Sequence, residues 1–264
     1  GVDLKKLASL SDYVYEIANL TRNKFQPFVG RFAFTHKAGV HGHAVLKCPE
    51  AYEFVDPTGF RMGRGVTVSS QAGLSNVTAK AQELGFKLGR QDPRAMEILR
   101  MIKRMESEGY NFENADATLA LVYARIMGAN LNYFTIVNWR TFIAGDNGKV
   151  SAESSVKLRL DNRFAITAEE GDGPVNAFDL ALKKALEAQH PELANVKLVG
   201  YRVREINVEK GTAASVQVFI EFEGDGARWS TVGVSPNILK ASEEALTDGY
   251  IYYLFKKGKK PASD

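Results

Sequence analysis

The chain has 264 residues, 45% of them apolar and 25% charged, enough to bury one or two substantial cores, with two domains the natural reading. Its formal net charge is only +3, and Lys and Arg are interleaved with Asp and Glu instead of gathered into a basic stripe, which speaks against a nucleic-acid partner. The single cysteine, Cys48, rules out an internal disulfide and reads as a small half-buried side chain. No run approaches the ~18 apolar residues that span a bilayer and the first twenty residues lack signal-peptide order, so the expectation is a cytoplasmic protein without a membrane partner.

Leu4, Leu7, Leu10, Val14, Ile17 and Leu20 recur at helical spacing and predict an amphipathic helix over 4–20 that needs a partner surface. From 28 to 60, glycines and prolines break the pattern into loops and brief pieces. A short strand around 66–68 is followed by helices over 76–84, 94–108 and 115–127. Asp92-Pro93 supplies an N-cap with proline at the first helical position, and Ser107-Glu108-Gly109-Tyr110 a stop. The polar, glycine-bearing stretch 144–154 is the expected domain boundary.

Beyond it the period changes. Val156, Leu158 and Leu160 alternate with Lys157 and Arg159, and Val216, Val218 and Ile220 with Gln217, Phe219 and Glu221, two period-two strands. The first half closes on Gly171-Asp172-Gly173-Pro174 and a helix over 175–188. The second passes Gly224-Asp225-Gly226 and Ser235-Pro236 before a helix to about 254, predicting a duplicated strand-strand-strand-helix unit. Lys256-Lys257-Gly258-Lys259-Lys260 and the residues after it read as a frayed, solvated tail.

Three histidines, His36, His41 and His43, fall within eight residues. Such a cluster suits a metal site, a satisfied or solvated set, or a catalytic base. Lys37 in its midst and the lack of an acid or thiol before Cys48 and Glu50 weigh against metal, and Gly39 and Gly42 around His41 permit a close substrate approach. Tyr52 is either a loop anchor or a phenol that holds a water or a carbonyl. No phosphate loop, dinucleotide fingerprint or Ser-His-Asp pattern is present.

The stretches Phe34-Thr35-His36-Lys37-Ala38-Gly39-Val40-His41, Ala51-Tyr52-Glu53-Phe54-Val55-Asp56-Pro57 and Ser70-Gln71-Ala72-Gly73-Leu74-Ser75-Asn76-Val77 resemble the region after the barrel in acyl-CoA-condensing synthases of the citramalate/2-isopropylmalate type. Gly171 to Ala177 and Trp229 to Ile238 are similar to their regulatory dimerisation domain. The resemblance implies an α+β chain: mainly helical accessory subdomains at about 1–60 and 61–146, a duplicated βββα regulatory domain at 153–256 and a tail at 257–264. The catalytic (β/α)8 barrel would be absent, and with it the divalent metal, leaving no cofactor or metal ligand in this chain. His41 and Tyr52 would assist deprotonation of the acetyl group in a partner subunit's barrel. Val175, Asn176, Leu198, Tyr201 and Ser215 would line a pocket for an isoleucine or leucine effector in a homodimer. The parent reaction would join acetyl-CoA to pyruvate under isoleucine feedback, with this fragment inactive alone. An isopropylmalate synthase inhibited by leucine, or a stand-alone amino-acid-binding module, are the alternatives.

Overall fold

A computed structural model of the chain describes residues 3–18, 20, 23–30, 32–36, 44–45, 47–60, 62, 65–66, 73–146, 148–206 and 214–261. The chain divides into two compact units, Gly1–Lys103 and Arg104–Asp264.

The first unit opens on a 3-10 turn over Leu4–Lys6, capped by the Asp3 carboxylate, which accepts from the Lys5 amide at 3.1 Å. Helix α1 follows over Leu7–Ile17 and stops three residues short of the expected end. Leu10, Val14 and Ile17 remain more than half exposed, and an apolar hollow of about 390 Å³ runs beside Leu10 and Val14 between Leu7, Leu20, Pro27 and Val29. An aromatic cluster organises the loops behind it: Phe28 stacks on Phe60 at 5.1 Å, and Phe34 approaches Phe60 at 6.0 Å. Strand β1 (Thr35–His36) pairs in parallel with β2 (Gly65–Val66), which lies at the edge of the expected strand at 66–68; residues 67–72 fall outside the described ones. Helix α2 spans Leu74–Glu83 and α3 spans Pro93–Ser107. Asp92 Oδ1 accepts from the Arg94 amide at 2.9 Å and Pro93 takes the first helical position, the cap read from the sequence. Ala95, Ile98, Leu99 and Ile102, at helical spacing, are the buried stripe of α3.

In the second unit, α4 (Asp116–Ile126) precedes two copies of one motif. The first copy is β3 (Thr135–Asp146), β4 (Lys149–Leu160), β5 (Arg163–Gly171) and α5 (Pro174–Glu187). The second is β6 (Lys197–Ile206), β7 (Ser215–Gly224), β8 (Ala227–Ser235) and α6 (Ile238–Lys256). Each makes a three-stranded antiparallel sheet in sequence order, as the duplicated pattern predicts. Ala152, Val156, Leu158 and Leu160 are the buried face of β4, and Phe178, Ala181, Leu182 and Ala185 that of α5. Thr167 Oγ1 donates to the Ala181 carbonyl at 2.7 Å. In the second copy Phe222 stacks on Trp229 at 5.6 Å, and Trp229 Nε1 donates to the Gly249 carbonyl at 3.1 Å. The two helices meet where Tyr250 donates to Asp179 Oδ1 at 2.6 Å, in surroundings dry enough that burial pushes both groups up.

Four expectations are corrected. The stretch 144–154, read as a boundary, is the tip of the β3–β4 hairpin: Asp146 pairs with Lys149, and Gly148 supplies the positive φ of +78° that such a turn requires. The first strand of the first copy therefore begins at Thr135, well before residue 153. The residues after 256 are tied down at least to Lys259: Lys257 Nζ lies 2.7 Å from Asp225 Oδ2 and Lys259 Nζ 2.9 Å from Glu192 Oε1. Cys48 is free and exposed, not half-buried. The alternation in β7 also breaks, since Gln217 and Phe219 are buried along with Val218 and Ile220. Residues 110–118 cover that second face, with Ala115, Phe219 and Val232 forming one cluster and Thr118 Oγ1 accepting from the Val232 amide at 3.1 Å.

Where α6 meets α4, Asp248 is 17% exposed and lies 3.5 Å from Arg125 Nη2. Burial dominates over the Arg125 charge and pushes its carboxyl up to about 6 from 3.8. A carboxyl raised in the folded state binds its proton more tightly there, so its favourable contribution is complete below pH ~4 and is lost as pH rises through ~6. Asp248→Asn, which resembles the neutral acid, is expected to be more stable than the parent at pH 7 by on the order of 1–3 kcal/mol. The gain should shrink toward zero at pH 4, as urea midpoints at the two pH values would reveal.

Candidate functional sites

Of the two expected catalytic residues in the first unit, the structure describes Tyr52. Tyr52 sits in the turn that ends a 3-10 segment over Pro49–Ala51, its amide donating to the Pro49 carbonyl at 3.0 Å, and its side chain is 47% exposed. Proline at the first position and Asp56, whose Oδ1 accepts from the Thr58 amide at 3.0 Å, shape the two ends of this turn. Next to Tyr52, Glu53 Oε1 lies 3.5 Å from His36 Nε2, with the two side chains 6% and 16% exposed. The link ties β1, which leads into the His41 segment, to the turn that carries Tyr52. His41 and His43 lie outside the described residues, so no distance from Tyr52 to His41 is given. A half-exposed tyrosine on a braced turn suits a group that meets a substrate from outside its own unit.

In the second unit the five expected effector residues divide. Val175 and Asn176 occupy the first turn of α5, after Gly173, which caps the helix without a side chain. Asn176 Oδ1 already accepts from the Asp172 amide at 3.2 Å. Gly171 is required at this junction, because a Cβ there would lie 2.5 Å from the Ala177 amide nitrogen. Leu198 and Tyr201 are three apart on β6 and would ordinarily point to opposite faces, but a bulge at Val199 realigns them. Leu198 stands opposite Phe222 and Tyr201 opposite Ile220, so both face the α6 side. Ser215 does not join them. It pairs with Ile206, five residues along β7 from Ile220, about 17 Å away at ~3.3 Å per residue and on the other face. Within one protomer it cannot share a small-molecule pocket with Leu198.

The α6 side of β6 also holds residues that the pattern alone did not single out. Val203 and Ile238 are 42% and 43% exposed, and the 37% exposed Tyr201 places its hydroxyl 2.9 Å from Ser242 Oγ. Val203 is visible in retrospect as a large aliphatic on an edge strand; Ser242 carries no signal in the sequence. Among the described residues no group of three His, Cys, Asp or Glu side chains is placed to hold a metal ion, and no helix is long and apolar enough to cross a membrane.

Comparison with known proteins divides the chain in two. Residues 28–110 match the homocitrate synthase post-HMGL domain-like family and residues 113–254 the LeuA allosteric (dimerisation) domain. The change of region falls at the turn after α3, ahead of the expected 146. The chain is 43% identical over 255 residues to an (R)-citramalate synthase of Geobacter sulfurreducens, covering 96% of this chain and 48% of that protein. It is 41% identical to an (R)-citramalate synthase of Aquifex aeolicus, with the same coverage of 96% and 48%. A 2-isopropylmalate synthase of Methanocaldococcus jannaschii is 28% identical, over 93% of this chain and 47% of that protein. The chain thus spans about half the length of the curated relatives it matches.

Proposed function

The chain belongs to the LeuA allosteric (dimerisation) domain family, and from that membership we propose that it is the accessory and regulatory half of a synthase that condenses acetyl-CoA with pyruvate to citramalate, feedback-inhibited by isoleucine. The observation that carries this reading is the higher identity, 43% and 41%, to (R)-citramalate synthases than the 28% to a 2-isopropylmalate synthase over almost the same span. The second unit pairs two copies of the chain. The effector's carboxylate lies at the free amides of the first turn of α5, beside Val175 and Asn176, where a helix N-terminus favours an anion. Its side chain lies against the exposed apolar groups of β6, around Leu198 and Tyr201.

In the reaction, His41 takes a proton from the thioester methyl, or orients the group that does, and Tyr52 holds the carbonyl or a water beside it, both reaching into the partner's barrel. The nucleophile so formed attacks the 2-oxo carbon, and water then cleaves the thioester. The divalent metal of such enzymes would polarise the 2-oxo acid; this reading assigns it to the rest of the protein and makes this chain inactive alone.

The complete protein is expected to release free thiol from acetyl-CoA when given pyruvate, less with a branched 2-oxo acid, and to be slowed by isoleucine. Preference for the branched acid with inhibition by leucine would replace this reading by isopropylmalate synthesis. Absence of thioester cleavage with any 2-oxo acid would leave only a non-catalytic amino-acid-binding module.

A further inference from the structure

The hydroxyl of Ser242 has one proton, and the Ile238 carbonyl, one turn earlier in α6, accepts it at 2.7 Å. The bond between Tyr201 and Ser242, 2.9 Å long, then has a single available donor, the phenol. With its own proton directed into the helix, the Tyr201 oxygen keeps lone pairs and no donor for anything else that approaches. The neighbouring exposed side chains on this side, Val203 and Ile238, are aliphatic. Of the two polar groups of an α-amino acid, the ammonium only donates and the carboxylate only accepts, so an acceptor-only phenol attracts the first and rejects the second.

We propose that Ser242 is a positioning residue of the effector site: it fixes the direction of the Tyr201 hydroxyl so that the phenol oxygen receives an N–H from the effector's ammonium, while Val203 and Ile238 flank the aliphatic side chain. This deepens the effector reading above and rests on it. It also leaves the carboxylate, bonded to the same carbon as the ammonium, for backbone amide donors such as those that open α5, so the two groups are sorted by donor and acceptor chemistry.

The test is calorimetric titration of the chain with isoleucine, with leucine and with 3-methylpentanoate, which keeps the isoleucine skeleton and carboxylate but lacks the ammonium. The parent is expected to favour the amino acid over 3-methylpentanoate by more than about tenfold. Ser242→Ala frees the phenol to donate, and should weaken the amino acid by about tenfold while leaving 3-methylpentanoate unchanged or tighter. Ser242→Thr keeps the hydroxyl and should behave as the parent. Tyr201→Phe, which leaves α6 untouched and carries the test should Ser242→Ala unfold, is expected to lose the same discrimination, and the double variant to lose no more. Parent-like affinity and discrimination in a folded Ser242→Ala or Tyr201→Phe chain would overturn the proposal alone. A folded chain that binds neither isoleucine nor leucine would overturn the effector reading and this inference with it.

Discussion

In the complete protein, His41→Gln is expected to lower kcat for thioester cleavage by about 10²–10⁴-fold, the usual contribution of a positioned acid or base. Tyr52→Phe is expected to lower it by roughly 10²–10³-fold, the loss of one hydrogen bond to a developing charge. Tyr52 is 47% exposed on a turn, so Tyr52→Phe should alter neither the melting temperature nor the dimer mass, and both are measured for His41→Gln as well. The effects should fall on kcat and on kcat/KM alike, because a group engaged only at the transition state leaves ground-state binding unchanged. Steady-state rates at saturating pyruvate with melting curves for each variant make the check. A His41→Gln protein that turns over at parental speed would remove the histidine from the chemistry.

The largest stability effect is expected at Gly233. It lies on β8 opposite Val218, where strand and helix backbones approach so closely that a Cβ would run into the Ala241 carbonyl and lie 3.0 Å from the Ala245 amide nitrogen. Neither obstacle is a side chain that rotates aside, so α6 must move off the sheet and disturb the Thr231 bond to the Ala245 carbonyl, 2.7 Å long. Gly233→Ala should therefore cost about 3 kcal/mol or more, at the upper end for overpacking. Gly226→Ala is the control: its φ is +75° but nothing lies within 4 Å of the added carbon, so only the backbone term of ~1 kcal/mol applies. Urea unfolding followed by the fluorescence of Trp139 and Trp229 should separate the two, and equal midpoints would contradict the close strand-helix approach.

Much of the second unit was legible because its signals are local. Val156, Leu158 and Leu160 alternate with charges, Pro174 opens a helix, and the same order recurs after residue 197, so the duplicated motif follows from periodicity alone. The stretch 144–154 is ambiguous in sequence because a polar, glycine-bearing stretch signals a linker and a hairpin tip equally. The Asn-Gly pair at 147–148, with Thr135 to Ile143 rich in β-branched and aromatic residues before it, was the clue that favoured the hairpin. The burial of Gln217 and Phe219 depends on residues 110–118, a hundred positions away, and no window on β7 contains that information.

At the candidate sites the same division holds. Tyr52 is singled out in the sequence by the family pattern around it, and the structure adds its place on the turn before Asp56-Pro57. The alignment of Leu198 with Tyr201 depends on a bulge at Val199, which leaves no mark in composition, and the placement of Ser215 on the opposite face follows from register, which a single strand does not reveal. Ser242 looks like any small residue in the middle of a helix, and only its 2.9 Å approach to Tyr201 distinguishes it.

Calorimetric titration of the chain with isoleucine and with leucine, its dimer mass established by light scattering, tests most directly whether this is an amino-acid-sensing dimerisation unit. The expected result is saturable binding to a dimer with isoleucine preferred over leucine. A folded dimer that binds neither amino acid would contradict it.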